Sequence, residues 1–247
     1  MSRYFVEVTY KGTRYAGFQT QKNANSIQAE VEKAFTIFYK TPFNLTGSSR
    51  TDAGVHALQN YFHFDFEEEI LTAQVYNLNA ILPSDIVIKK IIPVANEAHS
   101  RFDALSREYK YFIYQNKNPF LEDRAYFFPY SLNSDQINEA AEVLKEYSDF
   151  TSFSKRNTQV KTFQCQINES KWIFEDGCWV YHVKANRFLR GMVRGLVGTM
   201  LQVGRGKIDI DNFRKIIEAK DCTQADFAVP AHGLFLISVK YSEIFSL

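Results

Sequence analysis

The strongest constraint on the fold is an order of elements that occurs twice along the chain. In the first half, alternating apolar and polar residues predict strands, and apolar stripes at helical spacing predict helices. The first helix is capped by Asn25 or Ser26 and ends before Pro42. The predicted elements are strands at 3–10, 43–46, 61–66 and 85–93, with helices at 27–41 and 72–80.

The second half follows the same order. The predicted elements are strands at 109–114, 161–168, 171–184 and 233–241, with helices that begin at Ser134, Arg187 and Asp209. Each half therefore follows the order β-α-β-β-α-β, which predicts an α+β protein built from two ferredoxin-like halves with antiparallel sheets. We place the halves at residues 1–105 and 106–247. Phe153 and Trp172 are predicted core residues.

Composition excludes several classes of protein. With 247 residues, 45% hydrophobic and 23% charged, the chain is not disordered, collagen-like or a coiled coil. No apolar run approaches the roughly 20 residues that span a bilayer, and the N-terminal segment lacks the apolar core of a signal peptide. We therefore expect a cytoplasmic protein without a membrane partner. Three cysteines without a Cys-x-x-Cys pair, and five histidines without ligand spacing, predict no metal site.

Basic residues are concentrated in one segment of an otherwise balanced chain. The formal net charge is only +1. The segment from Lys184 to Lys207 nevertheless contains six basic residues and no acid: Lys184, Arg187, Arg190, Arg194, Arg205 and Lys207. Such segregation predicts either a solvated surface or a positive surface that binds nucleic acid.

A loop around Asp52 is the first candidate for chemistry. It reads Ser48-Ser49-Arg50-Thr51-Asp52-Ala53-Gly54-Val55-His56, with Gly54 free to adopt backbone angles that other residues resist. One interpretation is an Asx-turn in which Asp52 bonds its own backbone. The other is a carboxylate exposed as a nucleophile.

The predicted helix from Arg187 to Gln202 is the second candidate. On a helix, Arg187, Arg190 and Arg194 fall within about 60° of one another, at 100° per residue. Gly191, Gly195 and Gly198 form an adjoining stripe, and each costs a helix roughly 0.5–1 kcal/mol relative to alanine. That cost predicts a close contact along the stripe. The arginines are either solvated or turned toward phosphates or a buried carboxylate.

The third candidate is the segment from Arg101 to Tyr111, which contains two arginines and two tyrosines around a strand entrance. Aromatic residues favour strands in any sheet. Tyrosine beside basic residues also suits stacking on an unpaired base.

These motifs together resemble the tRNA pseudouridine synthase A family. Residues 50–57 (Arg-Thr-Asp-Ala-Gly-Val-His-Ala) are similar to its active-site signature. Further similar motifs follow in family order: 17–21 with 26–28, 102–111, 149–153, 192–194 with Gly198, and 230–234. The chain departs from the family pattern at Ser49, where glycine is usual, and at Val229, where alanine is usual; neither position carries a reacting group.

The resemblance implies an enzyme that isomerises uridine to pseudouridine in the anticodon stem-loop of tRNA, typically at positions 38 to 40. It also implies a homodimer, no metal or other cofactor, no nucleotide cofactor and an RNA-binding cleft between the halves. Asp52 would be the nucleophile, Arg194 its partner, and Tyr109 would stack on the uracil. Arg50 would fill the gap left by the flipped base. The RNA would contact Gln19, Arg107, Lys184, Arg187, Arg190, Arg205 and Lys207.

Two other functions fit the same residues. The charges and aromatic residues fit a non-catalytic RNA-binding protein equally well, although binding alone does not require Asp52 among arginines. A hydrolase with Asp52 as nucleophile needs a second carboxylate about 5–10 Å away, and the sequence shows no obvious one near the motif.

Overall fold

The computed structural model describes residues 1–156 and 160–242, which form a mixed α+β structure. The strands are β1 (Ser2–Tyr10), β2 (Thr46–Gly47), β3 (His56–Phe66), β4 (Ile86–Val94), β5 (Ser106–Tyr114), β6 (Tyr126–Phe127), β7 (Ile167–Glu175), β8 (Cys178–Ala185) and β9 (Leu234–Lys240). The α-helices are α1 (Ile27–Tyr39), α2 (Gln74–Ile81), α3 (Ser134–Val143), α4 (Met192–Gly204) and α5 (Ile210–Glu218). In these described ranges, none of the helices has the length and apolar character needed to cross a membrane.

The chain divides into two compact units. Unit 1 contains Met1–Leu105 and the segment that begins at Phe235, and unit 2 contains Ser106–Leu234. The sequence had placed 106–247 wholly in a second half, whereas β9 from Phe235 onward groups with unit 1. Residues 243–247, which that assignment included, lie outside the described residues.

Unit 1 has the strand order β4-β1-β3-β9. β1 lies antiparallel between β3 and β4, β2 pairs antiparallel with β3, and β9 runs parallel to β3, with His56 opposite Phe235. The predicted second strand at 43–46 is shorter and later than expected. The backbone of Leu45 bonds to side chains of α1 and not to a neighbouring strand. The Leu45 amide donates to Glu32 Oε1 (2.9 Å), and the Leu45 carbonyl accepts from Gln28 Nε2 (2.8 Å).

The first helix forms as its apolar stripe predicts. Ser26 is the N-cap, since its side chain accepts from the Ala29 amide, and Lys40 ends the helix in the left-handed conformation (φ +60°) before Pro42. The buried face of α1 contains Ile27, Val31, Ala34 and Phe35. Inward phenylalanines of unit 1 also stack, with the Phe18 and Phe62 ring centroids 4.5 Å apart.

Unit 2 contains the strand order β5-β8-β7, with β6 beside β5. Phe153 and Trp172 are buried, which confirms them as core residues.

The predicted strand break near residue 170 was wrong. The chain reverses at Asp176 and Gly177, which both have positive φ (51° and 76°), and Trp172 pairs with Tyr181 across the hairpin. An Asp-Gly pair is a strong signal for a two-residue hairpin turn, so the position was readable from the sequence.

The predicted start of the basic helix was also wrong. Gly191 precedes α4 in the left-handed conformation (φ +75°), and the helix begins at Met192. Arg187 and Arg190 therefore lie before the helix and do not share a helical face with Arg194.

The glycine stripe of α4 does make the close contact that its cost predicted. A Cβ atom built on Gly198 would overlap the Asp226 carbonyl, and one built on Gly195 would lie 2.7 Å from the Phe227 ring. The same segment is tied to α4 by hydrogen bonds, since the Asp226 amide donates to Thr199 Oγ1 (3.0 Å) and Gln202 Nε2 donates to Asp226 Oδ2 (2.8 Å). Segment 226–229 thus packs against the helix at backbone distance.

We predict that Gly198→Ala destabilises the protein by about 1–3 kcal/mol, because the new methyl group would overlap backbone. Helix propensity alone predicts the opposite sign, a gain of up to about 1 kcal/mol. Thermal and urea denaturation measure the difference, and an unchanged or raised stability would contradict the close contact.

Candidate active site

Asp52 lies in the loop between β2 and β3, whose residues differ in burial. Thr51 and Val55 are buried, Arg50 is exposed and Asp52 is half-buried. The Val55 amide donates to the Asp52 carbonyl (3.2 Å), and Gly54 has a positive φ of 80° within that turn. The backbone of the loop therefore closes the turn through this hydrogen bond.

A buried hydrogen-bond network holds the residues before Asp52. The Tyr10 hydroxyl lies 2.8 Å from Thr51 Oγ1. Asn60 Nδ2 donates both to the Tyr10 hydroxyl (3.1 Å) and to the Ser49 carbonyl (2.9 Å). Since an unsatisfied buried polar group costs about 1–3 kcal/mol, the three side chains fix one another and, with them, the start of the loop.

Two glycines let a second loop, which follows β1, approach the Asp52 turn. The Phe18 amide donates to the Thr51 carbonyl (3.1 Å), and a Cβ on Gly17 would lie 3.1 Å from that carbonyl oxygen. Gly17 also has a φ of +111°, which other residues rarely adopt. The Gly12 amide donates to His56 Nδ1 (3.1 Å), and a Cβ there would overlap the Val55 carbonyl.

Sequence reasoning had missed Tyr10, Asn60 and Gly12 as supports of this loop. Asn60 carries a readable signal, because an amide amid the apolar alternation of β3 needs buried partners. Which partners it finds depends on strand register, and the sequence does not show register.

A cleft of about 370 Å³ opens in unit 1 beside this loop. Arg50 and Gln19, two of the predicted RNA-binding residues, both line it. Its other lining residues are Phe18, Gln28, Asn44, Leu45, Thr46, Gly47, His99, Arg101 and Phe102. The structure therefore brings Arg50 and Gln19 together on one surface.

Tyr109 lies on β5 of unit 2, directly opposite Val183 of β8. Its ring is buried and meets the Phe188 ring edge-on, with centroids 5.0 Å apart. Arg107, two residues earlier on the strand, donates from Nη1 to the Asn186 carbonyl (3.2 Å). The strand pairing and the Phe188 contact fix the orientation of the Tyr109 ring.

Arg194 projects from the first turn of α4 and is oriented by the segment that packs on the glycine stripe. Its Nε donates to the Val229 carbonyl (2.8 Å) and its Nη2 to the Phe227 carbonyl (3.4 Å). Next to this segment, the Tyr111 hydroxyl donates to the Pro230 carbonyl (2.7 Å). Burial raises the pKa of Tyr111 far above its usual value, despite the opposing charge of Arg194, so this donor stays protonated.

The predicted basic residues of unit 2 do not form one uniform face. Lys184 Nζ lies 3.5 Å from Glu169 Oε1 on the neighbouring strand β7, which offsets its charge. The Arg205 guanidinium lies 3.8 Å from the centre of the Tyr130 ring, a cation–π distance. Arg190 and Lys207 are exposed, and Arg187 is half-buried.

Within residues 1–156 and 160–242, no group of three or more His, Cys, Asp and Glu side chains could hold a metal ion. The cysteines are free, with Cys165 and Cys178 buried.

His63 is buried against Ser100, and its Nδ1 lies 2.8 Å from Ser100 Oγ. Burial lowers the pKa of His63 to about 4.

Comparison with known proteins decides the family. A family profile described as tRNA pseudouridine synthase matches residues 140–242. The chain is 48% identical to tRNA pseudouridine synthase A of Parabacteroides distasonis, over 98% of this chain and 97% of that protein. The chain belongs to the tRNA pseudouridine synthase A family. It is also 45% identical to the Porphyromonas gingivalis protein of that name, over 99% of this chain and all of the other, and 35% identical to that of Staphylococcus aureus, over 98% and 91%.

Membership confirms the resemblance found in the motifs and makes the chain an isomerase. The individual site residues stay predictions. The structure contributes the surroundings of each: a turn with a fixed backbone for Asp52, a fixed ring for Tyr109 and an oriented guanidinium for Arg194.

We predict that Gly17→Ala lowers turnover, because the added methyl group strains a positive-φ backbone and presses on the carbonyl of Thr51 next to Asp52. Gly177→Ala is the matched control, since Gly177 also has a positive φ but its Cβ would meet nothing within 4 Å. Both variants should lose about 1 kcal/mol of stability or more, and only the first should lose activity.

Steady-state kinetics with a tRNA transcript, alongside thermal denaturation, compare the two variants. Equal turnover in Gly17→Ala and Gly177→Ala would show that the Gly17 contact does not control the geometry of the Asp52 loop.

Proposed function

We propose that this protein converts uridine to pseudouridine in the anticodon stem-loop of tRNA, at positions 38 to 40, with Asp52 as the nucleophile. The observation that carries the proposal is the Asp52 turn, closed by backbone and braced by Tyr10, Asn60 and Gly17. Such bracing holds the backbone that carries the Asp52 carboxylate in one place. Membership of a family of tRNA pseudouridine synthases supplies the reaction and the RNA.

The reaction balances without an oxidant, reductant or energy source. The N1–C1′ bond of uridine breaks, a C5–C1′ bond forms, the proton on C5 is lost and N1 gains one. Asp52 would attack either C1′ of the ribose or C6 of the uracil, and both routes need a base that is out of the stack. The chemistry therefore requires positioning, a nucleophile and a proton acceptor.

Unit 2 would supply two further groups. We assign Tyr109 to stacking on the target uracil and to removal of the C5 proton, and Arg194 to orienting the Asp52 carboxylate in its ionised form. Arg50 would fill the space left in the RNA by the flipped base. The phosphates would be held by Arg107, Arg187, Arg190, Lys207 and, once their present contacts are exchanged, Lys184 and Arg205.

The proposal is tested by incubating the protein with unmodified tRNA transcripts and no cofactor, and mapping pseudouridine by carbodiimide labelling and primer extension. Pseudouridine confined to positions 38 to 40 is expected. Binding without modification of any host tRNA would favour a protein that only binds RNA, and base release or strand cleavage would favour a hydrolase.

We predict that Tyr109→Phe lowers kcat about 10²- to 10⁴-fold with little change in KM, because the ring and its contact with Phe188 remain while the proton acceptor is lost. Tyr109→Leu should raise KM as well, since it also removes the stacking surface. Tyr114→Phe, on the same strand, is the control and should leave both constants unchanged.

Steady-state kinetics measure kcat and KM for each variant. A wild-type kcat in Tyr109→Phe would show that the hydroxyl takes no part in the reaction.

The homodimer and the cytoplasmic location also belong to this proposal. Sedimentation equilibrium of the free protein and fractionation of the host cell test them separately, and neither result bears on the role of Asp52.

A further inference from the structure

A row of three aromatic rings leads from the core of unit 1 to its surface. The ring centroids of His63 and His99 are 4.5 Å apart, and those of His99 and Phe102 are 4.2 Å apart. His63 is buried, whereas Phe102 is 74% exposed. The outermost ring therefore rests on a supported stack and still presents most of its surface to solvent.

The turn beneath Phe102 is held by its own hydrogen bonds. The His99 amide donates to Asp103 Oδ2 (2.6 Å), and the Asp103 amide donates back to the His99 carbonyl (3.1 Å). His99 Nδ1 accepts from the amides of Arg101 (3.1 Å) and Phe102 (3.4 Å). Burial lowers the pKa of His99, which favours the neutral ring that such acceptance requires. The backbone that carries Phe102 is thus held by hydrogen bonds before any ligand arrives.

Single exposed apolar side chains are common, so exposure alone assigns no role to Phe102. The second observation is that Phe102 lines the 370 Å³ cleft beside the Asp52 loop. A volume near the lower end of ligand pockets suits one nucleotide and not a duplex. The charged side chains among its lining residues are Arg50 and Arg101, at which a phosphate would be favoured.

Side-chain amides complete the cleft. Gln19, Gln28 and Asn44 line it beside the aromatic ring. Side-chain amides can donate hydrogen bonds to the edge of an unpaired base and accept them from it, while an aromatic ring stacks on the face of the base. The cleft therefore combines a stacking surface, hydrogen-bonding groups for a base edge and positive charge for a phosphate.

We propose that this cleft holds one unpaired tRNA nucleotide other than the target uridine, with its base stacked on Phe102 and its phosphate at Arg101. The inference rests on the proposed function, because Arg50 connects the cleft to Asp52, two residues later in the same loop. The cleft then selects RNA in which a second nucleotide near the target can leave its stack. Phe102 is a positioning residue and does not touch the reacting atoms.

The first test removes the ring and restores it. Phe102→Leu should weaken binding of an unmodified tRNA transcript roughly 5- to 150-fold, the usual loss for one base stacked on an aromatic side chain, and should raise KM by the same factor at unchanged kcat. Phe102→Trp should restore both. Tyr76→Leu is the matched control, since Tyr76 is 79% exposed on α2 of the same unit and is expected to leave KM unchanged.

The second test separates the phosphate from the base. Arg101→Gln should reduce the slope of log Kd against log salt by about one phosphate contact, whereas Phe102→Leu should leave the slope unchanged. Nucleotide-by-nucleotide chemical probing of bound transcript should show one unpaired nucleotide that is protected by the wild type and released in Phe102→Leu.

Wild-type affinity and KM in Phe102→Leu at unchanged melting temperature would overturn the subsite. So would equal losses in Tyr76→Leu, or probing that shows no change at any nucleotide. Each of these outcomes can occur while the wild type still forms pseudouridine. Conversely, the binding and probing results stand even if no pseudouridine forms, so failure of the subsite and failure of the proposed function are distinguishable.

Discussion

The hydrogen bond between the Tyr10 hydroxyl and Thr51, shared with Asn60, is the interaction on which the candidate site of unit 1 depends. It joins the end of β1 to the residue before Asp52, and Asn60 extends it from β3 to the Ser49 carbonyl. A loop would otherwise sample many conformations at an entropic cost of about 1–2 kcal/mol per residue when a substrate orders it. In this protein the loop is ordered when the chain folds, because the pairing of β1 with β3 brings Tyr10 and Asn60 together.

Close backbone contacts at glycine recur in both units and serve the same purpose. Gly17 lets one loop of unit 1 reach the Thr51 carbonyl, while Gly198 lets segment 226–229 lie on α4. In unit 2 that segment supplies the carbonyls that orient Arg194. Gly198 lowers the helix propensity of α4, and in both units main-chain atoms hold a candidate site residue or the residue next to it.

The sequence predicted the elements well wherever the apolar period was regular, as in β1, α1 and β9. The sequence-based prediction was wrong where residues with positive φ set the end of an element. Gly191 precedes α4, which therefore starts at Met192, and Asp176 and Gly177 form the turn between β7 and β8. The motif around Asp52 was visible because its residue types are unusual together. The bracing by Tyr10 and Asn60 was not, because it depends on the register between strands and on contacts over 40 residues apart in sequence. Lys184 illustrates the same limit, since its partner Glu169 lies on a neighbouring strand.

Replacing Asp52 with asparagine tests its role as nucleophile, because asparagine keeps the shape of the side chain and the backbone that closes the turn. Pseudouridine formation would be followed under single-turnover conditions with excess enzyme, with tRNA affinity and melting temperature measured on the same preparations. Asp52→Asn is expected to bind tRNA and to melt like the wild type, and to form no pseudouridine. Pseudouridine formation at a rate close to that of the wild type would contradict this role, and would make Asp52 a residue of the turn only.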